Sequence, residues 1–134
     1  MNLTEQITIQ IPMLKIVAIM TGGGLGAVFR YLLFIGIQRF ASPSFPYGTL
    51  AVNLLGSFFI GILWSWFEGT RLIGEWRLFL FTGFLGGFTT FSTFAREATQ
   101  LMRAGEYKTA ATYILVSNLV GIGLVFLGYA MTKR

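Results

Sequence analysis

The chain contains no cysteine and no histidine. That removes disulfides, a thiol nucleophile, an imidazole base, and the nitrogen and sulfur ligands on which transition-metal sites depend. No other nucleophile and base stand out as a pair, so no enzymatic activity is expected. Charge is also scarce, with 11% of the 134 residues charged against 54% hydrophobic, a balance that excludes a soluble domain with a wet surface. Acidic residues are the scarcer sign, 5 against 10 basic, leaving a net charge of +5. In a soluble protein that excess would suggest nucleic acid. In so apolar a chain it reads as lysines and arginines anchoring helix ends near anionic membrane lipid, and no nucleic-acid partner is expected.

What the chain does have is long hydrophobic runs. Its length allows about four spans of roughly 20 residues with short loops and no soluble domain besides. The expected fold is therefore all-α: a single integral-membrane domain of four transmembrane helices over residues 1–134. The spans read as 14–38, 49–67, 76–102 and 109–131. Residues 1–12 form a polar lead-in without the basic start, compact apolar stretch or small-residue cleavage site of a secretory signal. Met13, just before the first span, offers a second possible start besides Met1.

The organising stretch is 83–94, GFLGGFTTFSTF, which predicts a third helix broken near mid-membrane. Gly86 and Gly87 weaken the helix, and the hydroxyls of Thr89, Thr90, Ser92 and Thr93 can satisfy backbone groups that a break strands in hydrocarbon. Phe91 and Phe94, three residues apart, share a face of the resumed helix. The plainer reading is a flexible small-residue seam with two core phenylalanines.

Three further features bear on the choice. In the first span Gly22 and Gly26 form a GxxxG, best read as close helix packing. Arg30 follows, about eight residues from the span's end and so roughly 12 Å inside it, a depth that marks a candidate water-filled vestibule. An ion pair with Glu97 is its alternative. In the second span Asn53, with Gly56 and Ser57 on the same side, makes a small polar face that either glues helices or donates amide N–H groups to an ion. In the fourth, Tyr113 and Ser117 lie four residues apart, either a ladder of donors or an interfacial anchor and a packing residue.

Four spans put both termini on one side. With Arg30 left out for its depth in the span, the basic residues then divide roughly five to four, Lys15, Arg71, Arg77, Lys133 and Arg134 against Arg39, Arg96, Arg103 and Lys108, too even to fix orientation. Dual insertion would give an antiparallel homodimer about an in-plane two-fold axis.

GGGLGAVFRY, TLAVNLLGSFFIG and GFLGGFTTFSTF, in this order and spacing, resemble the Fluc or CrcB family of bacterial fluoride channels, over residues 14–134. The resemblance implies an antiparallel dual-topology dimer in the bacterial inner membrane. Two pores would pass fluoride and lower its cytoplasmic level, conferring fluoride resistance. It also implies a structural sodium ion held at the dimer centre by backbone carbonyls, here those of Gly86 and Thr89, so that Thr89→Ser should be mild. The pathway would be lined by Asn53, Phe91, Ser92, Thr93, Phe94, Tyr113 and Ser117, with Arg30 in the vestibule. Such a lining offers N–H and O–H donors and positive ring edges to a small, strongly hydrated anion. Gly121 stands where the family's polar track continues, so a shorter ladder is expected. Two other classes compete with this reading. A small dual-topology multidrug exporter needs a mid-membrane carboxylate, whereas Glu68, Glu75, Glu97 and Glu106 read as lying toward helix ends or loops. A non-transporting membrane assembly subunit would use the same glycines and Asn53 as mere contacts.

Overall fold

The structure, a computed structural model, describes residues 13–70 and 74–133. The lead-in at 1–12 with its possible start at Met1, and the basic residues Arg71 and Arg134, lie outside the described residues. Four spans are long and apolar enough to cross a membrane, each bounded within about two residues of expectation. The first is α1, Met13–Gln38, and the second is α2, Tyr47–Glu68. The third, Gly74–Arg103, divides into α3 at 74–88 and α4 at Phe91–Arg103. The fourth is α5, Tyr107–Thr132.

The loop sequences explain where these helices stop. Pro46, its φ fixed near the helical value by the ring, stands at the start of α2. Gly105, at φ +79°, lets the chain reverse after α4. There Glu106 N–H bonds the Leu101 carbonyl at 2.9 Å and Gly105 N–H the Met102 carbonyl at 3.0 Å, the pairing of a Schellman cap. Arg77 donates to the Phe67 carbonyl at 3.0 Å and lies over the Phe67 ring, tying the start of the third span to the last turn of α2.

Packing follows the small residues, because inside a bilayer helices associate by close contact more than by hydrophobic drive. Contacts are richest between α1 and α3 and between α2 and α5. A Cβ at Gly22 would strike the Phe79 carbonyl, and one at Gly26 the Phe84 carbonyl. Gly83 and Gly87 return the contact, facing Gly22 and Gly23. The same logic joins α2 to α5, where Gly61 lies against the Val125 carbonyl and Gly128 against that of Phe58.

Two stretches wind with the wider π-helical turn, Leu78–Leu85 within α3 and Val116–Val120 within α5. Such turns insert an extra residue and re-aim side chains, and they concentrate near functional sites.

The break falls within the expected stretch, at its threonines and not at its glycines. Gly86–Phe88 remain helical, and the chain leaves the helix at Thr89 and Thr90, both extended. In a seam this tight, Gly87 loses no helix to flexibility. Gly87 is placed by contact with Gly23, and the interruption is held by hydrogen bonds one turn later.

Candidate functional site

Thr90 begins α4 as its N-cap, its hydroxyl accepting from Thr93 N–H at 3.2 Å. One residue earlier, the Thr89 hydroxyl donates to the Leu85 carbonyl at 2.9 Å. Two of the expected hydroxyls thus satisfy backbone at the break. The stronger device comes from another helix. Asn53 on α2 accepts the Thr90 N–H at 2.8 Å through its Oδ1 and donates to the Thr90 carbonyl at 3.0 Å through its Nδ2. In a continuous helix that Thr90 N–H would serve the Gly86 carbonyl, which is left without its helical donor. Asn53 is therefore a clamp, and because an amide carries two N–H groups it has one more to offer.

A pocket of about 370 Å³ opens beside the break and gathers Asn53, Ser57, Gly86, Thr89, Phe91, Phe94 and Ser117 along its walls. The Ser117 hydroxyl is buried with no hydrogen-bond partner. The Phe91 and Phe94 rings lie 5.6 Å apart between centroids, but their surroundings differ. Phe94 is 9% exposed and Phe91 77%.

Tyr113 and Ser117, expected along one face, are separated. The wide turn beginning at Val116 changes the angular spacing after Tyr113, so that Ser117 reaches the pocket while Tyr113 does not line it. Tyr113 is wholly buried, packs on Phe94 at 5.1 Å between centroids, and donates to Glu97 Oε2 at 2.8 Å. Asn118, beside Ser117, bonds the Ile114 carbonyl at 2.7 Å and so satisfies an acceptor that the altered winding exposes. Gly121 packs toward Ser57 without extending the hydroxyl series.

Ser92 is exposed and lines neither this pocket nor the groove behind it, although its hydroxyl lies 3.5 Å from that of Thr90. Thr93 faces that second groove, with Arg30, Thr49 and Thr90. Thr90 thus stands in the wall between the two spaces.

Arg30 reaches the Thr89 carbonyl at 3.4 Å, not Glu97. The expected alternative of an Arg30–Glu97 ion pair is replaced, because Glu97 accepts from Thr49 at 2.9 Å and from Tyr113 instead. Glu97 also corrects the view that every glutamate lies toward a helix end. It sits six residues before Arg103, about 9 Å inside α4 by helical rise, half-buried among hydroxyls. Its i+3 spacing from Phe94 was the available signal, and Thr49 supplies a partner from α2 that no local pattern could reveal.

Comparison with known proteins places these features in a family. A profile described as "CrcB-like protein, Camphor Resistance (CrcB)" matches residues 17–129. A protein of Agrobacterium fabrum named fluoride-specific ion channel FluC is 50% identical over 124 residues, covering 91% of this chain and 98% of that one. One of the same name from Geobacter metallireducens is 48% identical over 123 residues, with 91% and 98% covered. Another, from Desulfotalea psychrophila, is 42% identical over 123 residues, with 92% and 95% covered. Matched along most of its length and through all four spans, the chain belongs to the CrcB family.

Proposed function

We propose that this chain is one protomer of a fluoride-selective channel that passes fluoride passively across the bacterial inner membrane and so lowers the cytoplasmic concentration. The observation that carries the reading is the pocket at the break. There a buried Ser117 hydroxyl without a partner and Asn53, with one N–H uncommitted, line the same pocket as Phe91 and Phe94. Fluoride needs donors in place of water, and it needs them weak enough to release it. An amide N–H, a hydroxyl and the positive edges of phenyl rings meet both demands, whereas a full cation in the narrowest part would hold the ion.

The protomers pair, in this reading, as an antiparallel homodimer inserted in both orientations. The nearly even division of basic residues across the membrane supports dual insertion. The exposed Phe91 supports the pairing, since a ring that edges a pathway needs a second wall.

A structural sodium ion belongs to the same proposal, held by the Gly86 and Thr89 carbonyls of both chains. Their chemistry fits. The Gly86 carbonyl has lost its helical donor to Asn53, and the Thr89 carbonyl ends a helix with a single long contact from Arg30. Two neutral hard oxygens from each protomer suit an alkali cation. When bound, the ion would supply fixed positive charge joining the two breaks, while Asn53, by holding the Thr90 N–H, keeps it from the Gly86 carbonyl.

The test is fluoride efflux from liposomes carrying the purified protein, with chloride run in parallel and Phe91→Ile and Phe94→Ile beside wild type. Fast efflux selective for fluoride and impaired by either substitution is expected. Absence of fluoride flux from folded wild-type dimer would overturn the channel and return the pocket to simple packing.

A further inference from the structure

Behind the break lies a second groove of about 290 Å³, lined by Ala27, Arg30, Tyr31 and Phe34 of α1, Thr49 and Val52 of α2, and Thr90, Thr93 and Arg96 around α4. The groove contains two guanidinium groups and no carboxylate. The sequence alone counts Arg96 as one of several basic residues near a helix end, but its position in α4 is deeper. It stands seven residues before Arg103, about 10 Å inside by helical rise, and Arg30 is about 12 Å inside the end of α1. Both helices run the same way across the bundle, so the two arginines enter from the same face of the membrane to similar depth. An arginine at such depth on a lipid-facing surface is costly, and one in a hydrated cleft is not.

The neighbouring carboxylate of Glu97 offsets part of this charge but pairs with neither arginine, leaving both guanidinium groups open to the groove. Glu97 points its oxygens to Thr49 and Tyr113. The groove offers hydroxyls in addition, from Tyr31, Thr90 and Thr93, and Thr90 is shared with the Phe91–Phe94 pocket.

We propose that Arg96 adds a second fixed charge to the vestibule expected at Arg30 and sets the rate of fluoride entry there without touching the ion in the narrow pocket. The inference rests on the channel reading above. Long-range attraction by a fixed charge acts on encounter, so its mark is dependence on ionic strength. At about 0.01 M salt the screening length is about 30 Å, and at about 1 M it is about 3 Å.

The experiment compares fluoride efflux from proteoliposomes for wild type, Arg96→Gln, Arg96→Lys and Arg96→Glu at those two ionic strengths, adjusted with an impermeant organic salt. Losing one charge should slow low-salt flux about two- to five-fold, with the gap closing at high salt. Lysine should restore most of the low-salt rate. Glutamate should slow flux further and reverse the trend, so that added salt speeds it. A merely structural role would lower flux equally at both ionic strengths, and a lipid-anchoring role would leave low-salt flux at the wild-type level; either result overturns the proposal. Should wild type itself pass no fluoride, the channel reading fails, an outcome distinct from a wild-type channel indifferent to Arg96.

Discussion

The α1–α3 seam and the Thr89–Phe94 break lie on the same helix pair, yet they solve opposite problems. In the seam, Gly22, Gly26, Gly83 and Gly87 bring two backbones together and leave nothing polar to satisfy. One turn later the chain leaves the helix, and hydroxyls and an amide must replace the lost backbone partners. The seam tolerates no added atom, and the break tolerates no lost hydrogen bond. Small residues are therefore not what opens a membrane helix here. They hold one side of it fixed while polar side chains open the other.

That contrast can be broken by substitution. Asn53→Leu should have the largest effect, since it strands both Thr90 N–H and Thr90 C=O at about 1–3 kcal/mol each. Thermal unfolding in detergent should register the loss, and fluoride flux should vanish. Unchanged stability would mean that water replaces the amide and that the clamp is dispensable. Next comes Gly26→Ala, whose methyl meets the Phe84 backbone and should cost about 1–3 kcal/mol of stability, again read by melting. Gly24→Ala, two residues earlier with open space around its Cβ position, is its control and should lose nothing. Equal losses at the two glycines would dissolve the distinction between seam and surface.

Ser117→Ala sharpens the comparison from the other side. The hydroxyl has no protein partner, so its removal should leave the melting temperature within error, yet it should slow flux several-fold if the donor serves the ion. A stability loss without a flux change would make it a packing residue. Smallest of all should be Thr89→Ser, which keeps the main-chain carbonyl and the hydroxyl bonded to Leu85. Dimer assembly measured by cross-linking or light scattering should be unaffected, and its abolition would count against the carbonyl assignment.

The fold was legible because span length and hydrophobicity are properties of contiguous residues, and all four spans, the loops at Pro46 and Gly105 and the packing role of Gly22 and Gly26 follow from local pattern. The site was legible in part. The stretch 83–94 announced a break, but which of its residues leave the helix was not legible, because Gly87 is held helical by contact with Gly23 and the Thr90 backbone is captured by Asn53. Asn53 was recognisable as polar and out of place, while its partner lay 37 residues away. The Tyr113–Ser117 ladder failed on local winding, since a four-residue spacing presumes ordinary helical turns and Val116 begins a wider one. Glu97 was hidden for another reason: its two hydroxyl partners arrive from α2 and α5.

The reciprocal pairing of Asn53 with Thr90 carries a consequence for how the molecule is made. Half of what keeps the third span bent is encoded in the second, so the bend is information supplied in trans. A peptide of residues 74–103 alone in micelles should heal its helix through Thr89 and Thr90, with the Thr90 N–H returning to the Gly86 carbonyl, as amide exchange would report. In the membrane the third span would then insert straight and acquire its kink on docking, in keeping with insertion before association. Function, on this view, is assembled in a late step of biogenesis, and a quality-control system that monitored span number alone would pass chains whose pathway had never formed.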